Sequence, residues 1–224
     1  MISCGCLVFL LLTLNIFTIA SKETNTIATE TPPTIILDPG HGGEDGGASS
    51  SDGILEKDIN LKIANYLHDM LKLAGFKVTM TRDKDVSIYD KSANSVREKK
   101  LSDLKNRLAM INASPNNIFL SIHQNKFTDT KYSGTQIFYS EKNPMSSELA
   151  NNIKTSVVSL LQPDNSRETK LGKDIYLLSQ TENPAVIVEC GFLSNEAEAA
   201  KLNTDEYQKQ LAFAIFCGVC AQFS

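Results

Sequence analysis

The sequence predicts a single α/β domain, built on an open, twisted, mixed but mostly parallel sheet of about six strands with helices on both faces. Two observations lead to this prediction. The chain has 224 residues, of which 42% are hydrophobic, which is enough for one sizeable core. From residue 34 onward, short apolar runs alternate with amphipathic helical patterns, and this alternation is typical of α/β sheets rather than sandwiches or bundles.

The first half of this domain begins with a strand, a helix and a second strand. Short apolar runs predict the strands, and apolar residues at steps of three or four predict the helices. Turn-forming residues follow the first strand, and Gly75 ends the first helix. The predicted order is strand 34–37, turn 38–43, helix 56–74, strand 77–81, a polar and irregular surface segment 83–100, a helix from about 101 to about 114, and strand 117–122.

The second half continues the same alternation and contains no internal repeat. One helix is predicted from a stripe of apolar residues that ends near Leu160. A closing helix is predicted from a nearly continuous apolar run near the end of the chain. The predicted order is strand 134–139, helix 145–161, strands 173–178 and 185–188, and helix 204–221.

The ends of the chain differ in composition from the domain. Residues 1–20 carry no charged side chain and include an apolar run of the length of a signal-peptide core. We therefore predict a signal peptide or N-terminal membrane anchor at 1–20, and expect the membrane to be contacted only through this segment. Residues 21–33 are polar and end in two prolines, which is typical of a linker. The folded domain is predicted to span 34–224.

Charge and cysteine content exclude some functions. Lys and Arg number 22 against 26 Asp and Glu, for a net charge of -4, so the chain has no basic excess for binding nucleic acid. The domain itself contains Cys190, Cys217 and Cys220, an odd number that cannot form a fully paired disulfide framework. The last two lie in an apolar pattern that favours packing inside a helix over metal binding.

The candidate site residues cluster at the ends of predicted strands. Two of the three histidines, His41 and His123, stand just beyond such ends, and Glu189 follows the apolar run 184–188. Loops at the carboxyl ends of strands present ligands and substrates in open α/β sheets. A charged carboxylate next to such an apolar strand is costly unless it is paired or coordinated. We therefore expect these three residues to be neighbours in space.

A hydrolytic zinc site needs three protein ligands and a separate carboxylate that takes a proton. His41 and His123 supply two imidazoles. Glu56, at the start of the first helix, is best placed to be the third ligand, although acidic residues are also common at helix starts because of the helix dipole. Glu44, Asp45 and Asp58 remain competitors on sequence alone.

Four motifs in order give the chain a specific resemblance. They are Asp38–Gly43 (DPGHGG), Glu56 in LEK, Ser121–Asn125 (SIHQN) and Val188–Asn195 (VECGFLSN). Together they resemble the zinc-dependent N-acetylmuramoyl-L-alanine amidases of bacterial cell walls, over about residues 35–219. The resemblance implies one Zn²⁺ per chain held by His41, Glu56 and His123. It also implies that Glu189 is the catalytic carboxylate and that residues 34–224 form a zinc amidase catalytic domain.

Within that family, the chain is most similar to the spore-cortex, germination-specific members. The resemblance implies hydrolysis of the amide between the lactyl group of N-acetylmuramic acid and L-alanine in peptidoglycan, which leads to muramic-δ-lactam and germination competence. We expect export to the cell wall, a periplasm-like space or the forespore intermembrane space, in secreted or anchored form. Since no wall-binding repeat domain is evident, we also expect an activating or localising protein partner.

Three further residues are candidates for binding substrate or for supporting the ligands. Asp38 orients a ligand or caps the turn before Pro39, Asn125 binds substrate or a loop, and Arg82 grips a peptide carboxylate or, preferably, forms a surface salt bridge. Two alternative functions are a cysteine hydrolase using Cys190 with His123, and a wall-binding module without catalysis. No helix N-terminus near Cys190 is evident that would lower its thiol pKa, and a module without catalysis would tolerate loss of the four site residues.

Overall fold

A computed structural model describes residues 33–223. The predicted leader at 1–20 and nearly all of the predicted linker lie outside the described residues. Within them, six strands and six helices form one unit. The strands are β1 (Thr34–Pro39), β2 (Lys77–Met80), β3 (Asn117–Asn125), β4 (Gln136–Tyr139), β5 (Lys170–Leu171) and β6 (Ala185–Phe192). The helices are α1 (Glu56–Leu73), α2 (Val96–Ile111), α3 (Pro144–Leu160), α4 (Tyr176–Gln180), α5 (Glu196–Leu202) and α6 (Asp205–Gln222).

The six strands form one mixed sheet in the order β2-β1-β3-β6-β4-β5. Every neighbouring pair is parallel except β4 and β6, which run antiparallel. The parallel strands β1, β3 and β6 therefore lie side by side, and their carboxyl ends meet at one edge of the sheet. The predicted fold class is confirmed.

Side chains alternate between the two faces of the sheet and form two cores. Residues such as Ile35, Leu120 and Val188 pack with α1, α3 and α6 on one face. Ile36 and Phe119 pack with α2 and α4 on the other face. Because successive residues of a strand point to opposite faces, helices on both sides are needed to keep these strands out of water.

Two predictions about the elements were wrong, and one helix was missed. The expected strand at 173–178 is instead a turn followed by helix α4, which begins at Tyr176, because a short apolar run fits a buried helix as well as a strand. The surface segment at 83–100 ends early: α2 begins at Val96, where Ser95 and Glu98 form a capping box. Helix α5 was not predicted.

Two strands also extend further than predicted. The apolar runs end at residues 122 and 188, but the strands continue to Asn125 and Phe192. His123 and Glu189 consequently lie within strands, not beyond them, because backbone pairing continues where the apolar pattern stops. Among residues 33–223, no helix is both long and apolar enough to cross a membrane.

Candidate metal centre

Three residues from three different elements meet at the carboxyl edge of the sheet. His41 lies in the turn after β1, Glu56 is the first residue of α1, and His123 lies near the end of β3. One ligand atom from each lies within 4.8 Å of the others. The structure thus brings together the two predicted histidines and favours Glu56 over the competing acids as the third member.

Two glycines make this close approach possible. A Cβ atom on Gly40 would lie 2.1 Å from Nε2 of His123, and one on Gly47 would lie 2.6 Å from Oε2 of Glu56. Neither position has room for a side chain. His41 itself has a φ of 63°, a conformation that is uncommon for residues other than glycine, so the turn is held in a special geometry that aims the imidazole at Glu56.

The carboxylate of Glu56 is buried and fully engaged. Its Oε1 accepts hydrogen bonds from the backbone N–H of Gln124 at 3.0 Å and from Nδ2 of Asn60 at 3.3 Å, and its Oε2 accepts one from the N–H of Ala48 at 2.7 Å. Nδ1 of His123 lies 2.9 Å from Oε1. Burial opposes ionisation, but the contacts with His123 and His41 hold the pKa of Glu56 well below its usual range.

A second carboxylate orients His41. Oδ2 of Asp45 lies 2.9 Å from Nδ1 of His41, while Nε2 of the same ring faces Oε2 of Glu56 at 3.3 Å. Burial alone would lower the pKa of His41, but the two carboxylates outweigh burial and raise it to about 9. Asp45, which competed with Glu56 as a ligand on sequence alone, instead fixes the ring that Glu56 faces.

These residues fit a zinc ion. Two imidazoles and one carboxylate are a donor set that zinc accepts while leaving a fourth position open. The two oxygens of Glu56 face Nε2 of His41 at 3.3 Å and Nδ1 of His123 at 2.9 Å, so the three donor groups already converge on one point. A carboxylate hydrogen-bonded to the far nitrogen of a ligating histidine is also the usual support of such a ligand.

Glu189 lies beside this cluster but has a different environment. Its Cα is the register partner of His123 across β3 and β6, so both side chains are on the same face of the sheet. Oε2 of Glu189 is buried without a hydrogen-bond partner among the described residues. Burial raises the pKa of Glu189 to about 7, despite the opposing charge of His123. A carboxyl group with this pKa exchanges protons near neutral pH.

Cys190 is on the opposite face of the sheet from His123. It packs in the core with residues such as Val188 and Leu193, and it is fully buried. Burial raises the pKa of its thiol far above the usual range. Since an activated cysteine needs a depressed pKa and a nearby base, the geometry gives no support to the cysteine hydrolase.

Asp38 lies near the end of β1, three residues before His41, and is fully buried. Its carboxylate accepts hydrogen bonds from Thr81 and Ser121, each at 2.6 Å, and forms an ion pair with Arg107. Burial opposes ionisation, but Arg107 and the hydroxyl groups lower the pKa of Asp38. Arg107 also donates to the backbone carbonyl of His41 at 2.9 Å. Through this arginine, Asp38 therefore supports the turn after β1 that carries His41.

Sequence reasoning assigned no role to Arg107. The signal available was its place in α2, where a charged residue falls three positions after Leu104 on the apolar stripe, and it is only 3% exposed. A buried charge of this kind is costly unless it is paired. The ion pair with Asp38 explains why this charge can be buried. Together with the hydrogen bond to the carbonyl of His41, it joins α2 to the end of β1 and to the turn after it.

The prediction that Arg82 forms a surface salt bridge was wrong. Arg82 is 3% exposed, and its guanidinium donates to the backbone carbonyls of Pro39, Gly40, Lys57 and Lys84. Two of these four carbonyls, those of Pro39 and Gly40, directly precede His41, so Arg82 supports the turn that carries this histidine.

Asn125 lies half-buried at the end of β3, and its backbone carbonyl accepts from the N–H of Leu193 at 2.8 Å.

A cavity of about 310 Å³ opens beside the two histidines. Gly40, His41 and His123 line it on the metal side, while Leu104 of α2 and Leu177 of α4 contribute to its apolar wall. The cavity is at the lower end of the size range of ligand pockets. A ligand bound in this cavity would lie against the two histidines.

The sequence of this chain is similar to those of known amidases. Residues 35–221 match the family model described as N-acetylmuramoyl-L-alanine amidase. The germination-specific N-acetylmuramoyl-L-alanine amidase of Bacillus subtilis is 36% identical over 190 residues, which cover 85% of this chain and 79% of the relative.

Solved structures show the same similarity. The CwlD amidase of Clostridioides difficile, determined in complex with the GerS lipoprotein, is 41% identical, with a TM-score of 0.82 over 85% of this chain and 98% of that chain. The amidase AmiC2 of Nostoc punctiforme is 25% identical, with a TM-score of 0.74 over 86% of this chain and 97% of that chain.

Proposed function

The chain belongs to the N-acetylmuramoyl-L-alanine amidase family and acts on peptidoglycan, and we propose that it does so with one Zn²⁺ held by His41, Glu56 and His123. The observation that carries this proposal is the convergence of those three side chains within 4.8 Å. Glu189, a carboxylate outside the ligand set, lies on the adjacent strand in register with His123. The reaction is hydrolysis of the amide that joins the lactyl group of N-acetylmuramic acid to L-alanine.

The residues of this chain divide the work between binding and proton transfer. When bound, zinc activates water and polarises a carbonyl group. Glu56 and the two histidines hold the metal, and Asp45 fixes the orientation of His41. The cavity beside His41 and His123 would receive the substrate.

Glu189 is the proposed proton carrier. The carboxylate of Glu189 takes the proton from the attacking water, and the oxygen of that water bonds to the lactyl carbonyl carbon. The C–N bond then breaks, and Glu189 gives the proton to the departing nitrogen of L-alanine. The products are a lactyl carboxylate on the glycan and a stem peptide with a free amine. A carboxyl group whose pKa is raised to about 7 is suited to accept and return a proton in this way.

We further propose that the biological role is spore-cortex maturation, which leads to muramic-δ-lactam and germination competence. The similarity to the germination-specific enzyme of Bacillus subtilis supports this role. Because peptidoglycan lies outside the cytoplasm, we propose export through residues 1–20, as a secreted or N-terminally anchored protein. The similar CwlD amidase was solved with a lipoprotein bound, which supports a protein partner that localises or activates this chain.

The deciding experiment is mass spectrometry of muropeptides after digestion of purified peptidoglycan, with zinc measured on the same protein sample. We expect release of stem peptides that carry a free L-alanine amine, while the glycan strands stay intact. Cleaved sugars or cleaved peptide cross-links would contradict the proposed reaction.

The same digestion separates zinc chemistry from cysteine chemistry. Activity is expected to disappear after chelation and to return on addition of zinc, and Cys190→Ala is expected to stay active. Activity that survives complete removal of metal but is lost in Cys190→Ala would replace the zinc proposal with the cysteine hydrolase. Binding of peptidoglycan without any product would favour the non-catalytic wall-binding module.

A further inference from the structure

One buried amide connects all three elements that carry the proposed metal ligands. Asn60 lies one turn after Glu56 on α1 and is fully buried. Residues four apart are neighbours on one side of a helix, so the side chain of Asn60 reaches the same region as the carboxylate of Glu56. Nothing in the four motifs of the sequence pointed to this residue.

The Nδ2 group of Asn60 makes two hydrogen bonds. It donates to Oε1 of Glu56 at 3.3 Å and to the backbone carbonyl of Gly40 at 3.2 Å. Gly40 immediately precedes His41. The two donors of one amide therefore fix the position of one ligand carboxylate and of the turn that carries a second ligand.

The oxygen of the same amide is held by the third element. Oδ1 of Asn60 accepts from Nε2 of Gln124 at 3.1 Å, and Gln124 follows His123 on β3. The backbone N–H of Gln124 also donates to Oε1 of Glu56 at 3.0 Å. Because Gln124 holds the oxygen, the amide of Asn60 cannot flip without losing bonds on both sides, and its donors stay directed at the metal site.

We propose that Asn60 is a positioning residue of the metal centre, locked in orientation by Gln124, and that it sets the zinc affinity by fixing His41, Glu56 and His123 relative to one another. Partners behind the ligands of a metal site typically change affinity 10- to 100-fold when they are replaced. Asn60 differs from the usual case in that it supports two ligands directly and is itself held by the neighbour of the third. This inference rests on the proposed zinc dependence.

Asn60→Leu is the sharpest test, because it nearly keeps the size of the side chain, removes both donors and adds no charge beside Glu56. Asn183→Leu is the matched control. Asn183 is also buried, and its Nδ2 donates to two backbone carbonyls, those of Ile111 and Ser114 at 2.8 and 2.9 Å, but it touches no proposed ligand. Zinc affinity is measured by competition with a chromophoric chelator, and unfolding by urea is measured on the metal-free proteins.

We expect both variants to lose stability, whereas only Asn60→Leu binds zinc about 10- to 100-fold more weakly. Gln124→Leu, which frees the amide of Asn60 to rotate, is expected to fall between Asn60→Leu and the parent in zinc affinity. It also serves as the test if Asn60→Leu does not fold. Zinc affinity within threefold of the parent in the folded variants, or an equal loss in Asn183→Leu, would overturn the inference. If the parent protein binds no zinc, the proposed function fails instead.

Discussion

Glu56 and Glu189 are two carboxylates at the same edge of one sheet, but they lie in opposite surroundings. Glu56 accepts hydrogen bonds from Ala48, Asn60 and Gln124, and two histidines face it. Glu189 has a buried oxygen with no partner among the described residues. The pKa of Glu56 is held far below its usual range, while that of Glu189 is raised to about 7.

This difference suits the two carboxylates to the two roles proposed for them. A carboxylate that faces two histidines, like Glu56, keeps its negative charge and is suited to hold a cation. A carboxylate that is buried without donors can gain and lose a proton near neutral pH. Pairs of titratable groups whose environments separate their pKa values commonly divide into such roles.

The largest effect on activity is expected from the replacement of Glu189. Glu189→Gln preserves the shape of the side chain but removes its ability to take a proton, so amidase activity on peptidoglycan should fall by about 10³-fold or more. Zinc content should match that of the parent, because Glu189 is not one of the proposed ligands. Activity close to the parent would mean that another group accepts the proton.

The next largest effect is expected on zinc affinity, when Glu56 is replaced. Glu56→Gln should weaken zinc binding by about 100-fold or more, measured by chelator competition, because it removes the only anionic ligand of the proposed set. Activity should fall with zinc occupancy and recover in part at high zinc concentration. Asp58→Asn, an exposed acid in the same first turn, is the control and should bind zinc like the parent. Normal zinc affinity in Glu56→Gln would move the third ligand elsewhere.

A smaller effect on zinc affinity is expected for Asp45, which contacts the proposed ligand His41. Asp45→Asn removes the charge that orients His41 through a 2.9 Å contact, so zinc affinity should fall by about 10-fold. Glu44→Gln provides the comparison, since the neighbouring Glu44 pairs with Lys99 at 2.8 Å and contacts no proposed ligand. Equal zinc affinities in both variants would show that Asp45 does not support the site.

The smallest effect concerns stability without metal, and it has opposite signs for the two carboxylates. The pKa of Glu189 rises from 4.5 to about 7 on folding, so its contribution to stability is present below pH 4.5 and is lost as the pH rises through 7. Metal-free Glu189→Gln should therefore be more stable than the parent at pH 8 by about 1–2 kcal/mol, after allowance for solvent access. The two proteins should be nearly equal at pH 4.5.

Glu56 should behave in the reverse way, because its pKa is lowered on folding. Its contribution is present above its usual pKa and is lost only in strong acid, so metal-free Glu56→Gln should be less stable than the parent at pH 8. Urea unfolding in the presence of a chelator measures both differences. If both variants changed the free energy of unfolding at pH 8 in the same direction, the two carboxylates would not differ in their electrostatic environment as described.

Most of the strands and helices could be predicted from the sequence, because apolar periodicity reports which faces must be buried. The exceptions have physical reasons. Residues 173–178 were assigned to a strand because a short apolar run does not distinguish a strand from a helix, and the packing of α4 against α2 decides the matter. His123 and Glu189 were placed beyond strand ends because their polarity interrupts the pattern, although the backbone ladder continues.

The candidate site was predictable in part for a similar reason. His41, His123 and Glu189 follow apolar runs that must lie side by side in a parallel sheet, so their convergence follows from topology. The choice of Glu56 among four acids rested on the family resemblance, and the structure now gives it a geometric basis. Asp45 was recognised only as a competing ligand, since its hydrogen bond to His41 depends on the unusual backbone conformation of the turn.

The sequence by itself determined the alternation of elements, the apolar cores and the residue types that a hydrolytic zinc site requires. Only the tertiary structure decided the electrostatic roles of those residues. Whether a carboxylate is saturated with donors, like Glu56, or left unpaired, like Glu189, depends on contacts between residues far apart in the chain. The roles of buried polar residues such as Asn60 and Arg107 could be seen only in the tertiary structure as well, because their hydrogen-bond partners lie on other elements.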